Sequence, residues 1–146
     1  RTAVVDSLVK KTRDTESTVR FSYTAIDAIE SARNGIKFNA FKSIYDLMNL
    51  SNTKWSEIIG ISERTMQTII KEKKDFDQNK SEKLLSFLTL IEYALDVLGS
   101  NENDEEWLNY KSPVLQGKAP IDYVDTFQGI HMLQEQLFKI DTGNLV

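Results

Sequence analysis

The stretch NTKWSEIIGISERTMQTIIK, residues 52–71, decides the fold. Its apolar residues Trp55, Ile59, Ile61, Met66 and Ile69 stand where two short helices need them to close on each other across a tight turn. Gly60 marks that turn, because glycine enters the left-handed conformation that ends a helix without a Cβ penalty. Ser62 follows as an N-cap, its hydroxyl placed to accept from the free N–H groups that open the second helix. Ser56 is the small residue at the crossing, where a larger side chain would push the helices apart. Any two short amphipathic helices with a glycine between them share part of this pattern. Here the small residue, the glycine, the cap and all five apolar positions fall in register, which predicts a helix-turn-helix of the DNA-binding kind. Its second helix offers Glu63, Arg64, Gln67, Thr68 and Lys71 outward, the face that enters the major groove in this motif.

Working outward, residues 24–32 place Ile26 and Ile29 at helical spacing before Asn34-Gly35, a stop signal, so a short helix is expected there. Phe41, Ile44, Tyr45, Leu47 and Met48 predict a second helix over residues 40–50, bracing the motif. Residues 1–20 alternate charges and threonines around Val4, Val5, Leu8 and Val9 and read as a partly ordered arm. After the motif, residues 71–77 read as a charged connection with Asp77 capping the next helix. That helix is long: Leu84, Leu85, Leu88, Ile91, Tyr93, Ala94, Leu95 and Leu98 run to Gly99 without proline or glycine. Its wide apolar stripe makes it the expected joint between two halves. Residues 100–106 look like a polar break, which puts a domain boundary near Gly99. Beyond it, Trp107, Leu108, Pro113, Leu115, Gly117 and Pro120 punctuate a turn-rich segment, with Pro120 opening a helical turn. Thr126 is the expected cap of a last helix, whose core stripe is Ile130, Leu133, Leu137 and Ile140 and whose stop is Gly143. Gly129 lies in its first turn, where glycine weakens a helix, so a close backbone approach is the expected reason for it. Phe127, Met132 and Phe138 fall partly off the stripe, and either bury under a neighbour or face a partner.

Composition bounds the function. A chain of 146 residues with 40% hydrophobic content suits one domain or two small ones. The longest apolar clusters, such as residues 87–91, are far too short to cross a bilayer, so no membrane association is expected. The absence of cysteine removes disulfides, thiolate nucleophiles and cysteine metal sites, and it fits a reducing compartment. A net charge of −4 argues against non-specific coating of nucleic acid. Its distribution is uneven: residues 51–74 hold five cations against three anions, and residues 99–146 hold three cations against eight anions. Two faces with different partners would produce that asymmetry, although an acidic half also serves solubility.

Catalysis lacks its parts. With one histidine, His131, no cysteine and no glycine-rich phosphate loop, nucleophilic, zinc and P-loop chemistries are all unsupported. The run Asp104, Glu105, Glu106 ahead of Trp107 reads as solvated or as a helix start, where carboxylates suit the dipole. No enzyme activity, cofactor or metal is expected.

At this point the pattern resembles the antitoxins of the Xre/MbcA/ParS type, which pair with RES-domain toxins. The resemblance rests first on Leu50-Ser51, Ile59 through Ser62, Arg64-Thr65, Ser81 and Leu84. It rests next on Trp107-Leu108, Pro113, Leu115, Gly117, Pro120, Thr126, Gly129, Leu137, Ile140 and Gly143, similar to that family's toxin-binding region. It implies an all-α protein with a helix-turn-helix core, a long joining helix and a small helical C-terminal toxin-binding domain. The corresponding organisation is an arm over residues 1–20, an Xre-like helix-turn-helix domain over 21–99 and a toxin-binding domain over 100–146. In function it implies a bacterial, cytoplasmic antitoxin that neutralises a NAD-consuming or ADP-ribosylating RES-domain toxin and represses its own operon. The implied partners are the toxin, operator DNA and a second copy of the chain, with a higher-order complex on toxin binding.

The DNA-binding set is then Ser62, Glu63, Arg64, Thr65, Gln67, Thr68, Lys71, Lys73 and Lys74. Members often carry a basic pair after the Arg-Thr, where this chain has Met66, Gln67 and Thr68, leaving phosphates to Arg64, Lys71, Lys73 and Lys74. Leu133 replaces the family's usual valine. The toxin-binding set is Trp107, Leu115, Gly117, Pro120, Thr126, Phe127, Gly129, Met132, Phe138, Asp141, Asn144, Leu145 and Val146, with residues 141–146 as a terminal plug for the toxin's cleft. Inhibition by the folded surface around residues 107–129 is the alternative to that plug. Two other functions remain open at this level: a plain helix-turn-helix regulator whose C-terminal half dimerises or senses a ligand, and a partner-binding module that no longer binds DNA.

Overall fold

Every regular element among the described residues is a helix, apart from one antiparallel bridge between Ser112 and Lys118. The computed structural model describes residues 25–99 and 101–143. The expected N-terminal arm, Thr24 and the terminal residues Asn144, Leu145 and Val146 lie outside them. In chain order the helices are α1 (Ala25–Asn34), α2 (Phe38–Leu47), α3 (Asn52–Ile59), α4 (Glu63–Glu72), α5 (Gln78–Leu98), α6 (Asn101–Asn109) and α7 (Phe127–Asp141). Two 3-10 turns, η1 (Pro113–Leu115) and η2 (Pro120–Tyr123), precede α7. The all-α class is therefore the observed one. Two compact units divide the chain between Leu85 and Ser86, inside α5, whereas the sequence marks Gly99, where α5 ends.

The first unit is organised around an aromatic cluster. Phe41, fully buried, meets Trp55 edge-on at 5.4 Å, Phe76 at 4.8 Å and Tyr45 at 5.8 Å between ring centroids. Residues 71–77 are not the simple charged connection the sequence suggests, because Phe76 within them belongs to this core. Its backbone N–H donates to Ile36 O at 2.9 Å, and the neighbouring Asp75 carboxylate accepts from Phe38 N–H at 2.8 Å. That bond, chiefly, with the Lys37 charge beside it, holds the Asp75 carboxyl below its usual range. Gly35 makes the close approach possible: its φ is +78°, and a Cβ there would fall on the Phe76 carbonyl oxygen. The second expected helix is also shifted, running Phe38–Leu47 and not over residues 40–50. Ser51 caps α3 from an extended backbone, accepting from Lys54 N–H, so the residues just before it cannot stay helical.

In the second unit, proline opens each 3-10 turn, where its missing N–H costs nothing. The Asp122 carboxylate accepts from Ala119 N–H at 2.9 Å, and the Tyr123 hydroxyl donates to Leu115 O at 2.9 Å, tying η2 to η1. The expected polar break over residues 100–106 is instead occupied, from Asn101 on, by α6. Asp104 shares a face with Leu108, four residues on, and both are 5% exposed, so this acid of the run is buried and not solvated. On α7, Ile130, Leu133 and Leu137 are buried as expected, but Ile140 is 40% exposed. Ten residues of α-helix leave it about 80° around the axis from Ile130, and it sits in the last turn.

Candidate functional surfaces

In the first unit, α3 and α4 pack on each other across the Gly60 turn. Trp55, Ile59, Met66 and Ile69 are buried between them and their neighbours, and Ile61 is half-buried. Gly60 has a φ of +76° and its N–H bonds Ser56 O at 2.8 Å, the helix stop expected of it. Ser56 is 4% exposed, as a small residue at a crossing should be. Ser62 accepts from Thr65 N–H at 3.0 Å while its own hydroxyl donates to Thr65 Oγ1 at 2.9 Å. The cap fixes the first turn of α4, and so the direction in which the helix points its outer face.

That face carries Arg64, Gln67, Thr68 and Lys71, spaced i, i+3, i+4 and i+7, with Thr68 half-buried and the other three exposed. Thr68 turns its hydroxyl proton back to Arg64 O at 3.1 Å, leaving its oxygen as an acceptor. Glu63 is exposed at the helix N-terminus, where an anion suits the dipole. Just past α4, Lys73 takes the left-handed conformation, with a φ of 54°, and its N–H bonds Ile69 O. Lys74 is held 3.0 Å from Glu72, both side chains more than half exposed. The geometry thus gathers four side chains on one helix face and adds Lys73 and Lys74 at its C-terminal end. A short helix with a cation at each end of an amide- and hydroxyl-bearing face suits a groove lined by phosphates.

The second unit presents a different surface. Along the outward side of α7 run Phe127, His131, Gln134 and Phe138, at spacings of four, three and four residues. Phe127 is 55% exposed and Phe138 58% exposed. Between them His131 Nε2 lies 3.2 Å from Glu135. Exposed aromatics at helical spacing are a partner-binding feature when they recur along one line. Asp141, at the end of the helix, is exposed, and Tyr93 on α5 feels its charge: burial first, and then Asp141, raise the Tyr93 hydroxyl above its ordinary value.

The remaining residues of the expected set divide by depth. Trp107 and Met132 are half-buried, and Gly117 and Thr126 are exposed. Leu115, Pro120 and Gly129 are buried, so they support a surface without forming it. Gly129 shows why: a Cβ on it would fall on the Tyr123 carbonyl oxygen, with Thr126 Oγ1 at 3.0 Å. Sequence reasoning passed over Tyr110, 68% exposed, and Val114, 59% exposed, on either side of Ser112. Their signal was available, since both are apolar residues in a turn-rich segment with no helical spacing to bury them.

No single helix among the described residues is long and apolar enough to cross a membrane. Residues 27–88 match the family model of the antitoxin Xre-like helix-turn-helix domain, which spans the motif and its bracing helices. Residues 94–143 match that of the antitoxin Xre/MbcA/ParS C-terminal toxin-binding domain, which spans α6, both 3-10 turns and α7. No curated protein matches the chain. With a DNA-binding helix-turn-helix and a toxin-binding domain matched over most of its length, the chain belongs to the Xre-type antitoxins.

Proposed function

We propose that this antitoxin neutralises a RES-domain toxin that consumes or transfers ADP-ribose from NAD, and that it represses its own operon as a dimer on a palindromic site. The observation that carries the toxin half is the aromatic line of Phe127 and Phe138 on α7, inside the matched toxin-binding domain. Around it the chain is acidic, eight anions to three cations over residues 99–146. A toxin that binds NAD presents cations to a pyrophosphate, so carboxylates beside apolar anchors complement such a cleft in charge and shape. Asp141 and the terminal residues Asn144, Leu145 and Val146 belong to the segment, residues 141–146, that would plug the toxin's cleft. The fitting experiment is co-expression with the RES-domain toxin: this chain restores growth and co-purifies with the toxin, and a version ending at Gly99 does neither.

The DNA half rests on the outer face of α4. One short recognition helix covers too few base edges to specify a site, hence the dimer and the palindrome. Arg64 and Gln67 are the residues whose side chains suit bidentate contact with bases. Replacing both with alanine should weaken operator binding at least about tenfold in a mobility-shift titration at fixed salt, each lost base contact being worth about 1–3 kcal/mol. Both are exposed, so the fold should be untouched. Equal affinity would assign this chain to toxin binding without operator recognition.

A further inference from the structure

Neither carboxylate oxygen of Asp104 has a hydrogen-bond partner, and the residue is 5% exposed. It is held there by the register of α6, which buries Leu108 on the same face. Among the described residues the charge acting on it is the Asp96 carboxylate of α5, and no cation compensates. On η2, which packs against α6, Asp122 is committed to Ala119 N–H and the Tyr123 hydroxyl to Leu115 O. An anion buried without a donor and beside a like charge is far less stable than the neutral acid. Burial first, and then the Asp96 charge, push the carboxyl up to about 7.

We propose that Asp104 is a proton-controlled latch of the C-terminal unit: the folded unit houses it as the neutral acid, and loss of that proton loosens α6. An acid raised in the folded state favours folding most strongly below its ordinary value of 3.8. That contribution is lost as pH rises toward about 7, and stability is level above it. Near neutrality the latch therefore stands between its two states. The link to function rests on the reading of this unit as the toxin-binding one: Trp107 lies on the same helix, so loosening α6 disturbs the surface that holds the toxin.

The test uses the full chain without toxin, so it stands or falls independently of the partner's identity. Carboxyl 13C chemical shifts followed from pH 3 to 9 should give Asp104 a midpoint near neutrality. A midpoint in the ordinary carboxylate range would overturn the latch. In urea unfolding between pH 5 and 7, the wild-type unfolding constant should rise by up to about tenfold per pH unit, the slope of a one-proton difference. Asp104→Asn should be more stable at pH 8 and lose that slope, and Asp96→Asn should reach its level region at lower pH. His131 is unchanged in both variants, so a difference between profiles belongs to the Asp104 site. An Asp104→Asn profile with the wild-type slope would overturn the proposal. With the RES-domain toxin added, affinity should fall from pH 6 to 8 for the wild type and not for Asp104→Asn. Constant wild-type affinity would overturn the link to toxin release.

Discussion

Gly129→Ala is expected to destabilise the C-terminal unit by about 3 kcal/mol, although alanine is the better helix former by about 1 kcal/mol. Two effects compete and the steric one wins. The added methyl group would occupy the place of the Tyr123 carbonyl oxygen, which is backbone and cannot swing aside as a side chain can. Nor is Tyr123 free to retreat, because its hydroxyl bonds Leu115 O and η2 is fixed at its start by the Asp122 bond to Ala119 N–H. Making room means moving the first turn of α7 away from η2, which also breaks the Thr126 cap on Gly129 N–H. The change is read as a fall in urea midpoint with far-UV circular dichroism. An alanine variant as stable as the wild type would mean that the two backbones do not meet as described.

Phe41→Ala should cost the DNA-binding unit about 3–5 kcal/mol, the range for a large aromatic removed from a close-packed interior. Phe41 is fully buried and its ring meets those of Phe38, Tyr45, Trp55 and Phe76, which come from α2, α3 and the segment after α4. The void would therefore open beside both ends of the helix-turn-helix. Since marginal domains hold about 5–15 kcal/mol in total, such a loss leaves the recognition helix without a firm base. A thermal scan should show the early loss of one transition, accompanied by loss of operator binding. Retained stability would place the centre of this core elsewhere.

The helix-turn-helix was legible because its determinants are local. A cap, a left-handed glycine and five apolar positions act within one stretch of twenty residues, and each is where the sequence puts it. The long helix was legible for the same reason, its stripe being uninterrupted as far as Gly99. What escaped depends on contacts distant in sequence. Phe76 sits among charges, and only the pairing of its backbone with Ile36 reveals it as core. The Asp104 run looks like a solvated break, because an acidic stretch has no apolar period to announce that one of its members faces inward. Of the toxin set, the backbone roles of Gly129 and Pro120 were legible as a close approach and the opening of a helical turn: Gly129 admits η2 against α7, and Pro120 opens η2. The exposed aromatics of α7 were found by their deviation from the core stripe, which periodicity alone can reveal.

The claim on which the account turns is that the α7 surface of this antitoxin holds a RES-domain toxin. It is tested most directly by calorimetric titration of purified toxin with the full chain and with Phe127→Ala/Phe138→Ala. Both positions are exposed, so the double variant should keep the wild-type circular dichroism spectrum and unfolding midpoint. The wild type should bind tightly and suppress NAD consumption, and the double variant should bind at least about a hundredfold more weakly, as expected when two aromatic anchors of about 2 kcal/mol each are removed. Equal binding by the two proteins, or a wild-type chain that leaves the toxin fully active, would contradict it.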